Sequence, residues 1–201
     1  MSPDHQASLQ DLLAQKPFLR FWLARVSGIL ANQMLSVALA WHMYELTGSA
    51  WDLGLVGLFQ FVPALILTLP AGHVVDKLNK VHIYASCMLI QAAVACVLVW
   101  GTQTDTVTRE WVLLVSAILG MVRAFQMPAQ QALTPHLVPA NLLQRAIALS
   151  STGVQTAVIS GPAIGGILYA THVNAVYATC AAFFLLAFIF AITVLSNPKP
   201  S

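Results

Sequence analysis

The sequence predicts an all-α membrane protein whose six transmembrane helices form one bundle. Three observations carry this. Of 201 residues, 58% are hydrophobic and 8% are charged, against roughly 25% charged in a soluble domain; mean hydropathy is +0.77. The apolar residues form long continuous runs, far longer than barrel strands and without their alternation. At about 20 apolar residues per span plus short loops, the chain has room for about six helices. A soluble globular enzyme, a disordered chain and a nucleic-acid binder are excluded, the last also because net charge is only +2 and no basic run could follow a phosphate backbone.

Residues 1–20 are polar and predict a cytoplasmic N-terminal segment. The first span covers residues 21–46. It carries a polar stripe of Asn32, Gln33 and His42, while Arg25 near its start reads as an anchor snorkelling to the interface. The second covers residues 53–75, opened by a capping box from Ser49 to Asp52 and interrupted by Gln60, Pro63 and Pro70. Asn79 caps the third, residues 81–101. The fourth, residues 111–133, has Glu110 in its first turn, where the helix dipole favours an anion; Arg123, Gln126 and Gln130 follow at helical spacing, with Pro128 among them. Asn141 after Pro139 is the expected cap of the fifth, residues 142–169, which holds Gln155 and a breaker run around Pro162. The sixth covers residues 173–195, and residues 196–201 read as a cytoplasmic tail. Cys87, Cys96 and Cys180 lie inside apolar stretches, without metal-ligand or disulfide spacing, and read as small core or lipid-facing residues. No metal site or cofactor is expected.

Charge fixes the expected orientation. With the N-terminus cytoplasmic, Lys16, Arg20, Lys77, Lys80, Arg145 and Lys199 lie inside and only Arg109 outside, as the positive-inside rule requires. Trp41, Trp51, Trp100 and Trp111 then mark the outer interface and Trp22 the inner one. An even number of spans then puts both termini of a multi-pass membrane protein on the cytoplasmic side.

A charge near the bilayer centre costs at least about 2.5–3.5 kcal/mol and needs a partner or a wet cavity. Arg123 is the clearest case. The candidate cavity residues are Asn32, Gln33, His42, Gln60, Arg123, Gln126 and Gln155. The amides could equally bond from helix to helix, and His42 could be a buried, satisfied histidine. Gly161 and Gly165 make a small-xxx-small face that lets another helix approach closely.

The turn after the second span reads Gly72-His-Val-Val-Asp76-Lys77-Leu-Asn-Lys80. It resembles the signature loop of the major facilitator superfamily, in the expected place and on the expected side. The fifth span's Gly161-Pro162-x-x-Gly165-Gly166 resembles that superfamily's antiporter motif, with Ala157 where the motif has a preceding glycine. Arg123 occupies the place of its helix 4 arginine. The stretch from Phe125 to Gly166 is similar to the branch that includes enterobactin exporters, although Asn32 stands where many relatives have Asp and Arg145 where many have Asn.

The resemblance implies the N-terminal half of a twelve-helix fold, built as a 3+3 inverted repeat. It implies that Gly72 permits close packing, that Asp76 latches to a second six-helix bundle when the cytoplasmic side is closed, and that Lys77 and Lys80 balance it. Pro162 and its glycines would shape the interface about which the bundles move. The expected activity is secondary active transport, a proton-coupled export of a small, partly hydrophobic, siderophore- or drug-like molecule by alternating access, with the chain a half-length form. The lipid bilayer, a small-molecule substrate and a second bundle are the expected partners. The alternative is a non-transporting membrane partner or an inactive fragment. An intramembrane enzyme fits less well: Ser160 lies beside Gly161, but no His lies clearly at matching depth.

Overall fold

The computed structural model describes residues 12, 15–133 and 137–195. Six helices follow one another: α1 (Lys16–Thr47), α2 (Ala50–Lys77), α3 (Lys80–Gln103), α4 (Arg109–Leu133), α5 (Leu143–Thr171) and α6 (Val173–Leu195), with a 3₁₀ turn at Ala140–Leu142 before α5. All six are long and apolar enough to cross a membrane. The bundle has a near end, holding the start of α1 and the α2–α3 and α4–α5 connections, and a far end, holding the other connections. Residues 196–201, the expected tail, lie outside the described residues, as do residues 1–11.

Local chemistry sets the helix boundaries. Pro17 sits in the first turn of α1, where its missing N–H costs nothing, so the helix starts five residues before the apolar run and buries Phe18. Gly48 closes α1 at φ +62°, its N–H donating to the Tyr44 carbonyl at 2.7 Å. Ser49 Oγ accepts from the Asp52 N–H at 3.3 Å, one half of the expected capping box. Asn79 Oδ1 accepts from the N–H groups of Val81 and His82, as expected. Asn141 does not cap α5. Pro139 instead starts a tight turn in which its carbonyl accepts from the Leu142 N–H at 3.0 Å, and α5 grows from that turn with no side-chain cap.

The main packing pairs are α1 with α5 and α6, α4 with α2 and α3, and α3 with α6. Exchanging α1–α3 with α4–α6 carries this set onto itself, the pattern expected of a 3+3 repeat. The core sits where α1, α3, α4 and α6 meet, around Met34, Leu35, Tyr84, Met88, Tyr177 and Phe184. Cys87 and Cys180 are buried there, donating weakly to the carbonyls of Val122 and Ala31, and Cys96 is exposed.

Glycines decide how close the exchanged helices come. A Cβ on Gly120 of α4 would lie 2.2 Å from the Gln60 carbonyl oxygen of α2. On Gly161 it would lie 2.5 Å from Gln33 Cβ, and on Gly165 2.9 Å from Met34 Cα, both in α1. These backbones touch because no side chain stands between them. At Gly72 and Gly166 a Cβ would meet nothing within 4 Å, so the close approach expected of Gly72 is not made within this bundle.

Gly120→Ala drives a methyl into a carbonyl oxygen and should lower unfolding free energy in detergent micelles by about 1–3 kcal/mol. Gly72→Ala should stay within about 0.5 kcal/mol of the parent. Equal losses in denaturant titrations would refute the close-approach account.

Candidate functional site

A polar cavity of about 340 Å³ opens on the bundle where α1, α4 and α5 face one another. Arg25, Ile29, Asn32 and Gln33 come from α1, at spacings that share one face. Arg123, Gln126, Met127 and Gln130 come from α4 with the same periodicity, joined by Gln131; Val154 and Val158 come from α5. Four expected cavity residues, Asn32, Gln33, Arg123 and Gln126, are thus brought together. Gly161 of α5, packed against Gln33 Cβ, sets how α1 presents that amide.

Three expected cavity residues lie elsewhere. His42 is buried nearer the far end of α1, its Nδ1 2.9 Å from the Tyr177 hydroxyl. Gln60 is half-buried in α2, its backbone pressed on Gly120. Gln155 is exposed beside Val154 and does not line the cavity. His42 is set apart by its depth along α1, Gln60 by belonging to α2, and Gln155 by the phase of α5, whose Val154 and Val158 face the cavity. Arg25, expected as an interface anchor, lines the cavity instead.

An amide chain braces this wall from behind. Asn32 Nδ2 donates to Gln91 Oε1 at 3.0 Å, and also to the Gly28 carbonyl. Gln91 Nε2 in turn donates to Gln126 Oε1 at 2.6 Å. Gln91 is 1% exposed and lies between α1 and α4, so it fixes two cavity amides at once. Sequence reasoning missed it, although a lone amide within an apolar run is itself the signal.

Arg123 is handled differently. It is the fifteenth residue of the 25 in α4. Among the described residues, no hydrogen bond or ion pair holds its guanidinium. A larger cleft of about 740 Å³ between α3 and α4, lined by residues such as Ile83, Ile90, Met121 and Phe125, offers neither carboxylate nor guanidinium.

At the far end, Arg109 at the start of α4 donates from Nε to Asp52 Oδ1 at 2.7 Å, with Nη2 at 2.6 Å from the same oxygen. Asp52 therefore does more than sit in a capping box: its carboxylate ties α2 to α4. Tyr169 Oη donates to Glu45 Oε2 at 2.6 Å and ties α5 to α1. Each exchanged helix pair thus carries one carboxylate clasp at the far end. Trp100 stacks on Trp111 there, centroids 6.4 Å apart. At the other end, Trp22 donates to the Leu149 carbonyl.

The Gly72–Lys80 segment is more helical than a loop. Gly72, Asp76 and Lys77 complete the last turns of α2, only Leu78 and Asn79 form the turn, and Lys80 begins α3. Asp76 and Lys77 are exposed. Among the described residues, neither of the two lysines pairs with Asp76 within 4.0 Å. A carboxylate in the last turn opposes the helix dipole. In α5, Gly161 and Gly165 are occupied by packing on α1 within this bundle, which accounts for them without a second one; Pro162 is half-buried on another face.

The family model described as Major Facilitator Superfamily matches residues 21–201. Macrolide efflux protein A of Streptococcus pyogenes is 28% identical over 162 residues, which is 80% of this chain and 40% of that protein. The Staphyloferrin A transporter of Staphylococcus aureus is 27% identical over 146 residues, 71% of this chain and 36% of that protein. Multidrug efflux pump Tap of Mycolicibacterium fortuitum is 28% identical over 180 residues, 83% of this chain and 42% of that protein. The chain thus spans 36–42% of the length of these relatives.

Gln91→Leu removes two interhelical amide bonds and should cost about 1–2 kcal/mol in a micelle unfolding titration. Gln155→Leu should cost less than about 0.5 kcal/mol. If Gln91→Leu matched Gln155→Leu, the bracing role of Gln91 would be lost.

Proposed function

The chain belongs to the Major Facilitator Superfamily, and on that premise we propose that it is the N-terminal bundle of an exporter of small molecules, working by alternating access with a second six-helix bundle. The observation that carries this reading is the polar-lined cavity between α1 and α4, in which Arg123 has no hydrogen-bond or ion-pair partner among the described residues. A purely structural bundle gains nothing from such a residue, whose insertion is costly. Efflux is the direction in the names of two relatives, Macrolide efflux protein A and Multidrug efflux pump Tap. The narrower likeness to enterobactin exporters is part of the same proposal.

The second bundle is supported by two bare faces. α2 exposes Ile66 and Leu69, and α5 exposes Ile159 and Ile167, each by more than two thirds. These two helices exchange under the repeat, so one partner bundle can cover both. Asp76, exposed and working against its own helix dipole, would serve as the latch to that partner in the closed state; a positive helix N-terminus there would complement it.

Orientation follows from charge. Lys16, Arg20, Lys77, Lys80 and Arg145 mark the near end, and the far end's Arg109 is matched by Asp52. The near end, with both termini, is cytoplasmic in the bacterial inner membrane. Exchange against protons drives export, a reading supported by the antiporter-like run in α5. Toward the far end, the titratable groups His42, Glu45 and Asp52 each hold a partner within the bundle: His42 meets Tyr177, Glu45 meets Tyr169 and Asp52 meets Arg109.

The test is flux through inverted vesicles under an imposed pH gradient, with a macrolide and a siderophore as labelled probes. The chain is assayed alone and with the C-terminal half of a relative. We expect transport from the pair only. Flux from the chain alone would refute the need for a second bundle, and silence in both arms would refute the exporter reading. In the active pair, Asp76→Asn should cut the rate at least about tenfold with membrane insertion unchanged; a parental rate would remove the latch.

A further inference from the structure

We infer that the α1–α4 cavity binds a small organic anion, and that the guanidinium of Arg123 is the group that recognises its carboxylate. The inference deepens the exporter reading and rests on it for the route, though not for the binding chemistry.

The cavity's charge is one-sided. Arg123 lines it, with Arg25 at its edge; the remaining polar lining is made of neutral amides, and among the described residues no acidic side chain contributes. The acids of the described residues are all placed elsewhere. Glu45 accepts from Tyr169, Asp52 pairs with Arg109, Glu110 sits in the first turn of α4 beside Arg109, Asp105 occupies the far-end turn, and Asp76 ends α2. Arg123 therefore meets no carboxylate of the described residues; it stands exposed on the open side of the cavity, about halfway along a membrane-spanning helix, where an uncompensated cation is costly.

A bound anion removes that cost, and a neutral or cationic ligand does not. Guanidinium geometry narrows the choice further, because its planar donors match the two oxygens of a carboxylate. Around it, the amides of Asn32, Gln33, Gln126 and Gln130 supply donors and acceptors suited to hydroxyl or carbonyl groups on the same molecule. Met127 and Val158 offer an apolar surface for its carbon skeleton. The class that fits is a compact carboxylic acid rich in hydroxyl or amide groups. Gln91 acts at one remove: by holding Asn32 and Gln126, it fixes two of these amides around the site.

The experiment measures binding to the 201-residue chain in lipid nanodiscs by calorimetry, at matched ionic strength. Citrate is the anionic probe, its neutral triamide the isosteric control, inorganic phosphate the alternative anion and tetraphenylphosphonium the cationic probe. We expect citrate to bind best. Arg123→Gln should weaken citrate at least about tenfold, and Arg123→Lys less, since the charge remains and the fork is lost. The ligand-free Arg123→Gln chain should unfold no earlier than the parent, because among the described residues no hydrogen bond or ion pair depends on that side chain. Preference for the phosphonium, equal binding of the triamide, or tighter binding of phosphate would overturn the carboxylate assignment. So would citrate affinity unchanged in Arg123→Gln, or absent from the parent. An earlier unfolding of Arg123→Gln would show a structural partner for Arg123 and overturn its recognition role. None of these outcomes depends on transport, so vesicle flux can fail while citrate binding holds, or the reverse.

Discussion

The close approach of helix backbones at three glycines is the constraint on which the remaining structure depends. Gly161 and Gly165 let α1 lie directly on α5, and Gly120 lets α2 lie directly on α4. In a bilayer, lipid is as apolar as a leucine side chain, so helices gain little from burying one against another and associate through fine packing. Small residues supply that packing where backbones meet. With α5 drawn onto α1 and α2 onto α4, α1 and α4 face each other across an opening that neither α2 nor α5 fills. The cavity is a consequence of those contacts. The breaker-rich run in α5, which resembles an antiporter motif, is thus also the packing device of its own bundle.

The polar residues divide into those that are satisfied within the bundle and those that are not. Gln91, Asn32 and Gln126 satisfy one another. His42 meets Tyr177, Glu45 meets Tyr169, and Asp52 meets Arg109. Each contact joins two helices, and together they brace the core and the far end. Arg123 and Asp76 fall outside this economy. One stands in the cavity, and the other on the near end of α2 in a turn whose dipole disfavours it. Side chains that cost free energy where they stand are the ones an external group would stabilise. For Arg123 that group is the proposed ligand, and for Asp76 the proposed second bundle.

Much of the fold was legible in residue order. All six spans are present, and their ends differ from the apolar runs by a few residues where Pro17, Gly48 and Asn79 govern the termini. The site was half legible. The Arg123–Gln126 pair stood out because charge and amide recur on one face of an apolar helix. In sequence Gln91 is one amide among many apolar neighbours, Arg25 reads as an interface anchor and Asp52 as a cap; in the fold Gln91 joins α1 to α4, Arg25 lines the cavity and Arg109 pairs with the Asp52 carboxylate.

By itself the sequence determined the class, the spans and the charge asymmetry between the two ends. Those follow from composition and from the length an apolar run needs to cross a bilayer. Only the tertiary structure decided which polar groups share a cavity, which brace the core and which stand alone. The reason is physical. A soluble helix shows its inward face by contrast with a polar outward one. A membrane helix is apolar toward lipid and toward its neighbours alike, so its rotation is set by packing partners such as Gly120 and Gly161. His42 and Asn32 share α1 and its polarity, yet one faces Tyr177 and the other the cavity wall.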